Sequence, residues 1–318
     1  MSLPHKILLL LFILLVGCSE AHTPELRIGS NVWPGNEPLY LARENGYFDP
    51  QKIHLVEYSS ASQVIQSFRN GLIDAAALTL DETLLLLERG EELTIVLVMD
   101  ISDGGDVIIA RKDIASMAEL RGRHVAVENT ALGAYVLERA MDIAKLDKNT
   151  VNIVELDVNE HEKAFLQGEV DALVTFEPVR SKLLAVGGHI LFDSKQIPGE
   201  IVDVLVVKND YLRRYPKSIQ HLRQGWYLSL DAIKNQPRES AKILGQRMQL
   251  NIDDTLASYA GLILPDQNEN QRLLFGQPDP PLLITARKLA QLMFNHKLLE
   301  KKLNPEVLLP DNNDFSHE

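Results

Sequence analysis

A hydroxyl and a carboxylate recur at two corresponding places in this chain: Thr79 with Asp81, and Thr175 with Glu177. Each pair follows a short apolar run and opens a helical pattern, which is where a buried strand delivers side chains to the rim of a sheet. If the two runs belong to facing bodies, each side offers one hydroxyl and one acid to a solute held between them. Asp81 has a second reading, because an acid in "LDETLL" also suits a helix N-terminus, where the dipole favours it by ~0.3 to 1 kcal/mol. Glu177 precedes Pro178, which fits a first helical turn. Trp33, in "VWPG", can stack on or cap a solute and donate from its indole N–H, or it can pack the two bodies together. Asn36 and Tyr40 lie in the same loop and helix start. Thr130 precedes a helix whose free amides at Ala131 and Leu132 suit an anionic group, and a plain N-cap satisfies the same geometry. Asp103, in "DISDGGDV", and Asp203, opening a later apolar stretch, complete the set; holding loop amides is the other role open to such aspartates, and the one favoured for Asp106.

Asp81, Asp103, Glu177 and Asp203 stand in this set against no lysine or arginine. A bare sulfonate or nitrate gains from cationic donors and is opposed by carboxylates. The set therefore predicts a neutral, amine-bearing or nitrogen-heterocyclic solute. Catalysis needs a nucleophile with a base, or metal ligands at usable spacing. No HExxH, GxSxG or Walker loop occurs, the nine histidines are scattered, and His161 and Glu162 read as solvent-facing helix positions. No enzyme activity, metal or cofactor is expected.

The elements that position these groups are written twice. "FRNGLIDAAALTLDE" begins at Phe68 and "FLQGEVDALVTFEPV" at Phe165, pairing Gly71 with Gly168, Asp74 with Asp171, Leu86 with Leu183 and Gly90 with Gly187. "DVIIAR" from Asp106 then matches "DVLVVK" from Asp203. One supersecondary unit used twice predicts two similar lobes. Strands are expected over 26–29, 53–58, 73–78 and 170–175, with helices over 39–45, 61–69, 82–89, 160–166 and 179–186. The fold class is α/β, with mostly parallel sheets. Lobe 1 is assigned to 26–108 and 206–318, and lobe 2 to 109–205. The stretches 107–110 and 204–207 form a two-segment hinge. From Asn209 onward the pattern is helical, through "DDTLASYAGLIL" to a last helix over 282–294 that packs back on lobe 1. Arg213, Arg214, Lys217, His221 and Arg223 read as a solvated basic face.

The 318 residues carry a formal charge of −12. That excess excludes a nucleic-acid partner, whose phosphates need a basic stripe. Residues 1–17 read as a signal peptide: Lys6 precedes an apolar run over 7–16, too short to span a bilayer stably. The run ends in "LVGC", similar to a bacterial lipobox, with Cys18 the lipidated residue and 18–25 a polar tether. A plain signal peptide with an incidental cysteine is the other reading. Cys18 is the only cysteine, so an internal disulfide is impossible.

"NVWPGNEPLYLARENGYFD", "FRNGLIDAAALTLDETLLL", "FLQGEVDALVTFEP" and "PGEIVDVLVVKNDYL" together resemble the solute-binding proteins of ABC importers, in the nitrate, sulfonate, taurine and thiamine-pyrimidine (NMT1/THI5-like) group. The resemblance runs from about Arg27 to Leu264. It implies a type II periplasmic-binding-protein fold and a monomeric receptor, periplasmic or on the cell surface, held to the membrane by its lipid alone. A small-molecule solute is its ligand, and an ABC permease with its ATPase are its partners. A ligand-binding sensor subunit and an enzyme of thiamine- or menaquinone-precursor synthesis are the alternatives on the same fold.

Overall fold

A computed structural model of the chain describes residues 24–128 and 130–311. The expected signal peptide, Cys18 and most of the tether lie outside the described residues. The first lobe opens with β1 (Leu26–Asn31), α1 (Glu37–Glu44), β2 (Ile53–Tyr58), α2 (Ala61–Arg69), β3 (Ala75–Thr79), α3 (Leu80–Glu88) and β4 (Leu93–Ser102). The second holds β5 (Val107–Ala110), β6 (His124–Val127), α4 (Ala131–Ala144), β7 (Asn152–Glu155), α5 (Val158–Gln167), β8 (Ala172–Thr175), α6 (Val179–Ala185) and β9 (His189–Asp193). The chain then returns through β10 (Val202–Lys208) to α7 (Asn209–Arg214), α8 (Pro216–Asn235), α9 (Pro237–Met248), α10 (Ile252–Tyr259), β11 (Leu262–Ile263), α11 (Gln267–Phe275) and α12 (Pro281–Asn295).

The strands form two sheets, β11-β4-β10-β3-β1-β2 and β7-β6-β8-β5-β9. Each is covered on both faces, which is why its strands read as unbroken apolar runs. In the first sheet Val204 and Val206 face one core, with Leu78, Leu84 and Met293, while Leu205 and Val207 face the other, with Leu39 and Trp226. The second sheet divides likewise, with Ile108 on one face and Val107 and Ile109 on the other. The period of two along each strand separates the cores.

Both sheets are mixed, whereas mostly parallel ones were expected. The crossing strands run against their neighbours: β10 is antiparallel to β3 and β4, and β5 to β8 and β9. Val107–Ala110 lies wholly in the second sheet and Val202–Lys208 wholly in the first. The chain therefore crosses between lobes over 103–106 and 194–201, a few residues from the expected hinge segments. The crossings are knit together: Ser102 Oγ meets Ser194 Oγ at 2.8 Å, and Gly104 N–H donates to Ser194 Oγ at 2.6 Å.

Two local readings change. The helix expected through 264 stops at Tyr259, and Leu262–Ile263 pairs with the edge of β4. Gly261 allows this: a Cβ there would lie 2.9 Å from Gly105 N, while its carbonyl accepts from Asp103 N–H at 2.8 Å. Arg223 leaves the expected solvated basic face and is buried. The last helix, α12, packs on α3 in the first core, and His296 at its end lies 3.3 Å from both Glu138 and Asp142 of α4. Among the described residues no helix is long and apolar enough to cross a membrane.

Candidate functional site

Where the carboxyl ends of β1, β3, β6 and β8 point toward one another, the lobes enclose a cavity of about 30 Å³. Its walls come from Asn31, Trp33, Asn36 and Thr79 of lobe 1 and from Glu128, Leu132 and Phe176 of lobe 2, with Glu82, Asp106 and Asp203 completing the lining. Trp33 and Phe176 meet edge to face across the lobes, centroids 5.4 Å apart. A larger cavity of about 500 Å³ lies on the other side of Phe176, bounded by Glu57 and Arg247 of lobe 1 and Val158 and Lys182 of lobe 2. Phe176 thus stands between an outer cleft and an inner chamber.

Carboxylates dominate the chamber, and none of its lining residues is a lysine or arginine. The sheet register explains part of the crowding: Asp203 on β10 lies opposite Thr79 of β3 on one side and Asp100 of β4 on the other. Asp100 accepts the Trp33 indole N–H at 3.0 Å and lies in hydrogen-bond reach of Asp203. Two acids side by side in a dry site cannot both ionise cheaply, so they share a proton. Burial pushes Asp100 up to about 7, and burial with the neighbouring Asp100 raises Asp203 well above the usual carboxylate range. Burial likewise pushes Asp106 up to about 6 and Glu128 up to about 8, Glu82 adding to both by repulsion. Glu82 is itself raised by burial. It closes a capping box: Thr79 N–H donates to Glu82 Oε2 at 3.0 Å and Glu82 N–H to Thr79 Oγ1 at 3.4 Å. Among the described residues no group of three or more acidic, histidine or cysteine side chains is arranged to hold a metal ion.

The sequence-derived residues divide. Trp33, Asn36, Thr79 and Asp203 line the chamber. Thr130 lies at its edge, where its hydroxyl bonds Glu82 across the lobes and does not cap α4. Asp81 is buried behind the lining in the first turn of α3; one carboxylate oxygen has no hydrogen-bond partner, and burial pushes the group up to about 8. Tyr40 is a core residue, its hydroxyl 2.8 Å from Ser30 Oγ and its ring under the Arg247 guanidinium at 3.4 Å. Asp103 is drawn to Gly261 through its backbone, outside the lining. Thr175 Oγ1 turns to His161 Nδ1 at 3.3 Å.

Glu177, expected as the acid of the second lobe, turns to its own helix. It accepts from Arg180 at 2.8 Å, from Ser181 N–H at 3.1 Å and from the Ser181 hydroxyl at 2.9 Å. An acid so placed is satisfied by the helix end and by a cation, which leaves little for a solute. His161, read as solvent-facing, is fully buried, and desolvation lowers it to about 4.

Glu82, Glu128, Asn31 and Phe176 line the chamber without a sequence signal that named them, and Asp106, read as a holder of loop amides, lines it too. For Asp106 a signal existed, since the internal repeat aligns it with Asp203; Glu128 and Phe176 each directly follow a strand of the second lobe. Glu82 was hidden by its capping role, and nothing in the sequence marks Asn31.

Comparison with known proteins places these features in a lineage. The model of the NMT1-like family matches residues 19–245. A putative aliphatic sulfonates-binding protein of Escherichia coli (strain K12) is 26% identical over 249 residues, which is 76% of each chain. The taurine-binding periplasmic protein of the same strain is 20% identical over 220 residues, 65% of this chain and 68% of the other. Among solved structures, the alkanesulfonate-binding protein SsuA from Xanthomonas axonopodis pv. citri bound to MOPS superposes with a TM-score of 0.77 at 20% identity, covering 89% of this chain and 97% of that one.

Proposed function

The chain belongs to the NMT1-like family, and from that premise we propose that it is an extracytoplasmic receptor that captures a small amine-bearing or nitrogen-heterocyclic solute between its lobes and hands it to an ABC permease. It performs no chemistry on that solute. The fold supports the transport role: two lobes joined by two short crossings can open and close on a solute, and the closed face can be read by a membrane partner. The name of the taurine-binding periplasmic protein supports a periplasmic location, and a permease with its ATPase are the partners that a receptor of this kind requires. Lipidation at Cys18 would retain the protein at the membrane by an anchor alone.

One observation carries the choice of solute. Glu82, Asp106, Glu128 and Asp203 line the chamber, and no basic side chain does. An anion about 4 Å from even one ionised carboxylate is opposed by about 4 kcal/mol at an effective dielectric of 20. An ammonium or protonated ring nitrogen is favoured by the same amount, and Trp33 and Phe176 offer it aromatic surface. The relatives named for sulfonates and taurine therefore supply the architecture of the receptor and not its selectivity.

A thermal-shift panel of the mature protein against amines, pyrimidines, sulfonates and nitrate tests the reading, because a ligand that binds only the folded state raises its apparent stability. The largest shift is expected from an amine or nitrogen heterocycle and is expected to shrink in Asp203→Asn. A sulfonate or nitrate giving the largest shift would overturn it.

A further inference from the structure

Resting on the reading of the chamber as a site for positive solutes, we propose that Glu128 sets that sign: a carboxylate supplied by the second lobe occupies the helix N-terminus of the first, where an anionic solute would otherwise sit, and clasps the lobes together. A helix N-terminus at the rim of a sheet is a ready anion site, because its first amides lack partners within the helix. The first turn of α2 lines this chamber through Ala61. Its amides are all spoken for by the protein. Ser62 N–H donates to Glu128 Oε1 at 3.3 Å, and the Ala61 amide bonds the same carboxylate. Gln63 N–H donates to Ser60 Oγ at 3.4 Å and Val64 N–H to the Ser60 carbonyl at 3.3 Å. An anionic solute would have to displace Glu128 from these amides and, wherever that carboxyl is ionised, share the chamber with its charge.

The position of Glu128 is fixed by packing. It directly follows β6, and α4 closes over it so tightly that a Cβ on Gly133 would lie 2.9 Å from the Glu128 carbonyl oxygen and 3.1 Å from its nitrogen. Glu128 is 5% exposed. Since α2 belongs to lobe 1 and β6 to lobe 2, the contact spans the cleft. Glu128 therefore acts twice, excluding anions from α2 and adding a bond that forms only when the lobes meet. Thr130 reinforces it two residues on, reaching Glu82 of α3.

Ethylammonium and ethanesulfonate, probes of similar size and opposite sign, separate the possibilities by titration calorimetry on wild type, Glu128→Gln and Glu128→Ala. Glu128→Gln keeps the shape and an acceptor for the α2 amides, so it guards against loss of fold in the smaller variant. The expected result is ethanesulfonate affinity at least tenfold above wild type in the folded variants, with the gain larger in Glu128→Ala, whose α2 amides are freed. Folded variants that bind ethanesulfonate no better than wild type would overturn the role of Glu128 and leave the acidic-chamber reading standing. Wild type binding ethanesulfonate more tightly than ethylammonium would overturn both.

Discussion

Glu177 and Asp203 separate two uses of a buried acid. Glu177 is spent on Arg180 and Ser181 within its own helix start, whereas Asp203 faces the chamber beside Asp100. Glu177→Ala strands the half-buried Arg180 guanidinium and removes hydrogen bonds to α6, which costs about 1 to 3 kcal/mol. Chemical unfolding of the variant should show that loss while solute affinity stays within about twofold of wild type, a factor that corresponds to only a few tenths of a kcal/mol. A Glu177→Ala protein of wild-type stability that no longer binds would return this residue to the site. At this scale the sequence gives rims but not directions. The carboxyl end of a buried strand was legible for Thr79 and the start of one for Asp203, but the strand-end signal was equally legible for Thr175 and Glu177, which turn aside. Local hydrogen bonds decided between them: Thr175 found His161, and Glu177 found Arg180 and Ser181 of α6. Such competition depends on which neighbour a side chain meets in three dimensions, and spacing along the chain carries no record of it.

The loop between β1 and α1 is the element that couples the core to the chamber. It carries Trp33, whose indole N–H is held by Asp100 at 3.0 Å and whose ring meets Phe176 of the other lobe. Gly35 makes room for that bond: a Cβ there would lie 1.7 Å from Asp100 Oδ2 and 2.6 Å from Trp33 Nε1. Gly35→Ala must therefore part the two. The variant is expected to lose about 1 to 3 kcal/mol of stability through overpacking and an unmade buried hydrogen bond. Its tryptophan emission should also shift toward that of a wetter indole, with Trp226, fully buried in the core of lobe 1, as the constant background. An unchanged emission spectrum in a folded Gly35→Ala protein would show that the loop relaxes at no cost. Most elements were readable from periodicity, because unbroken apolar runs and amphipathic spacing are local. The antiparallel insertion of β5 and β10 was not, since "DVIIAR" and "DVLVVK" look alike whichever way their neighbours run. The strand at Leu262–Ile263 was hidden for the same reason: its partner is the edge of β4, and only the approach of Gly261 to Gly105 brings them together.

The whole molecule carries a formal charge of −12, yet its chamber is built to hold protons. In the unfolded chain carboxyls titrate near 4. In the fold burial pushes Asp106 up to about 6, Asp100 up to about 7, and Asp81 and Glu128 up to about 8. Between those limits the folded state keeps protons that the unfolded chain has released, so these groups contribute most below pH ~4 and their contribution is lost as pH rises toward ~8. His161 opposes them. Its lowered value of about 4 gives stability that is present above pH ~6.5 and lost as pH falls through the folded value. Glu200, held down to about 2 by Arg139, Tyr135 and Lys288, contributes above pH ~4 and is lost on further acidification. Several raised acids against one histidine place the optimum of the solute-free protein on the acid side of neutrality, with a melting temperature higher at pH 5.5 than at pH 8. A cationic solute reverses the slope. It binds the ionised chamber and releases the shared protons, so its affinity should strengthen as pH rises from 6 to 8, by up to about tenfold per pH unit for each proton displaced. An anionic solute would need those protons and would bind better as pH falls. Calorimetric titration of the best amine at pH 6, 7 and 8, in two buffers of different ionisation enthalpy, measures both the slope and the protons released. A slope of the opposite sign, or no proton release, would mean that the carboxyls lining the chamber do not meet the solute's charge.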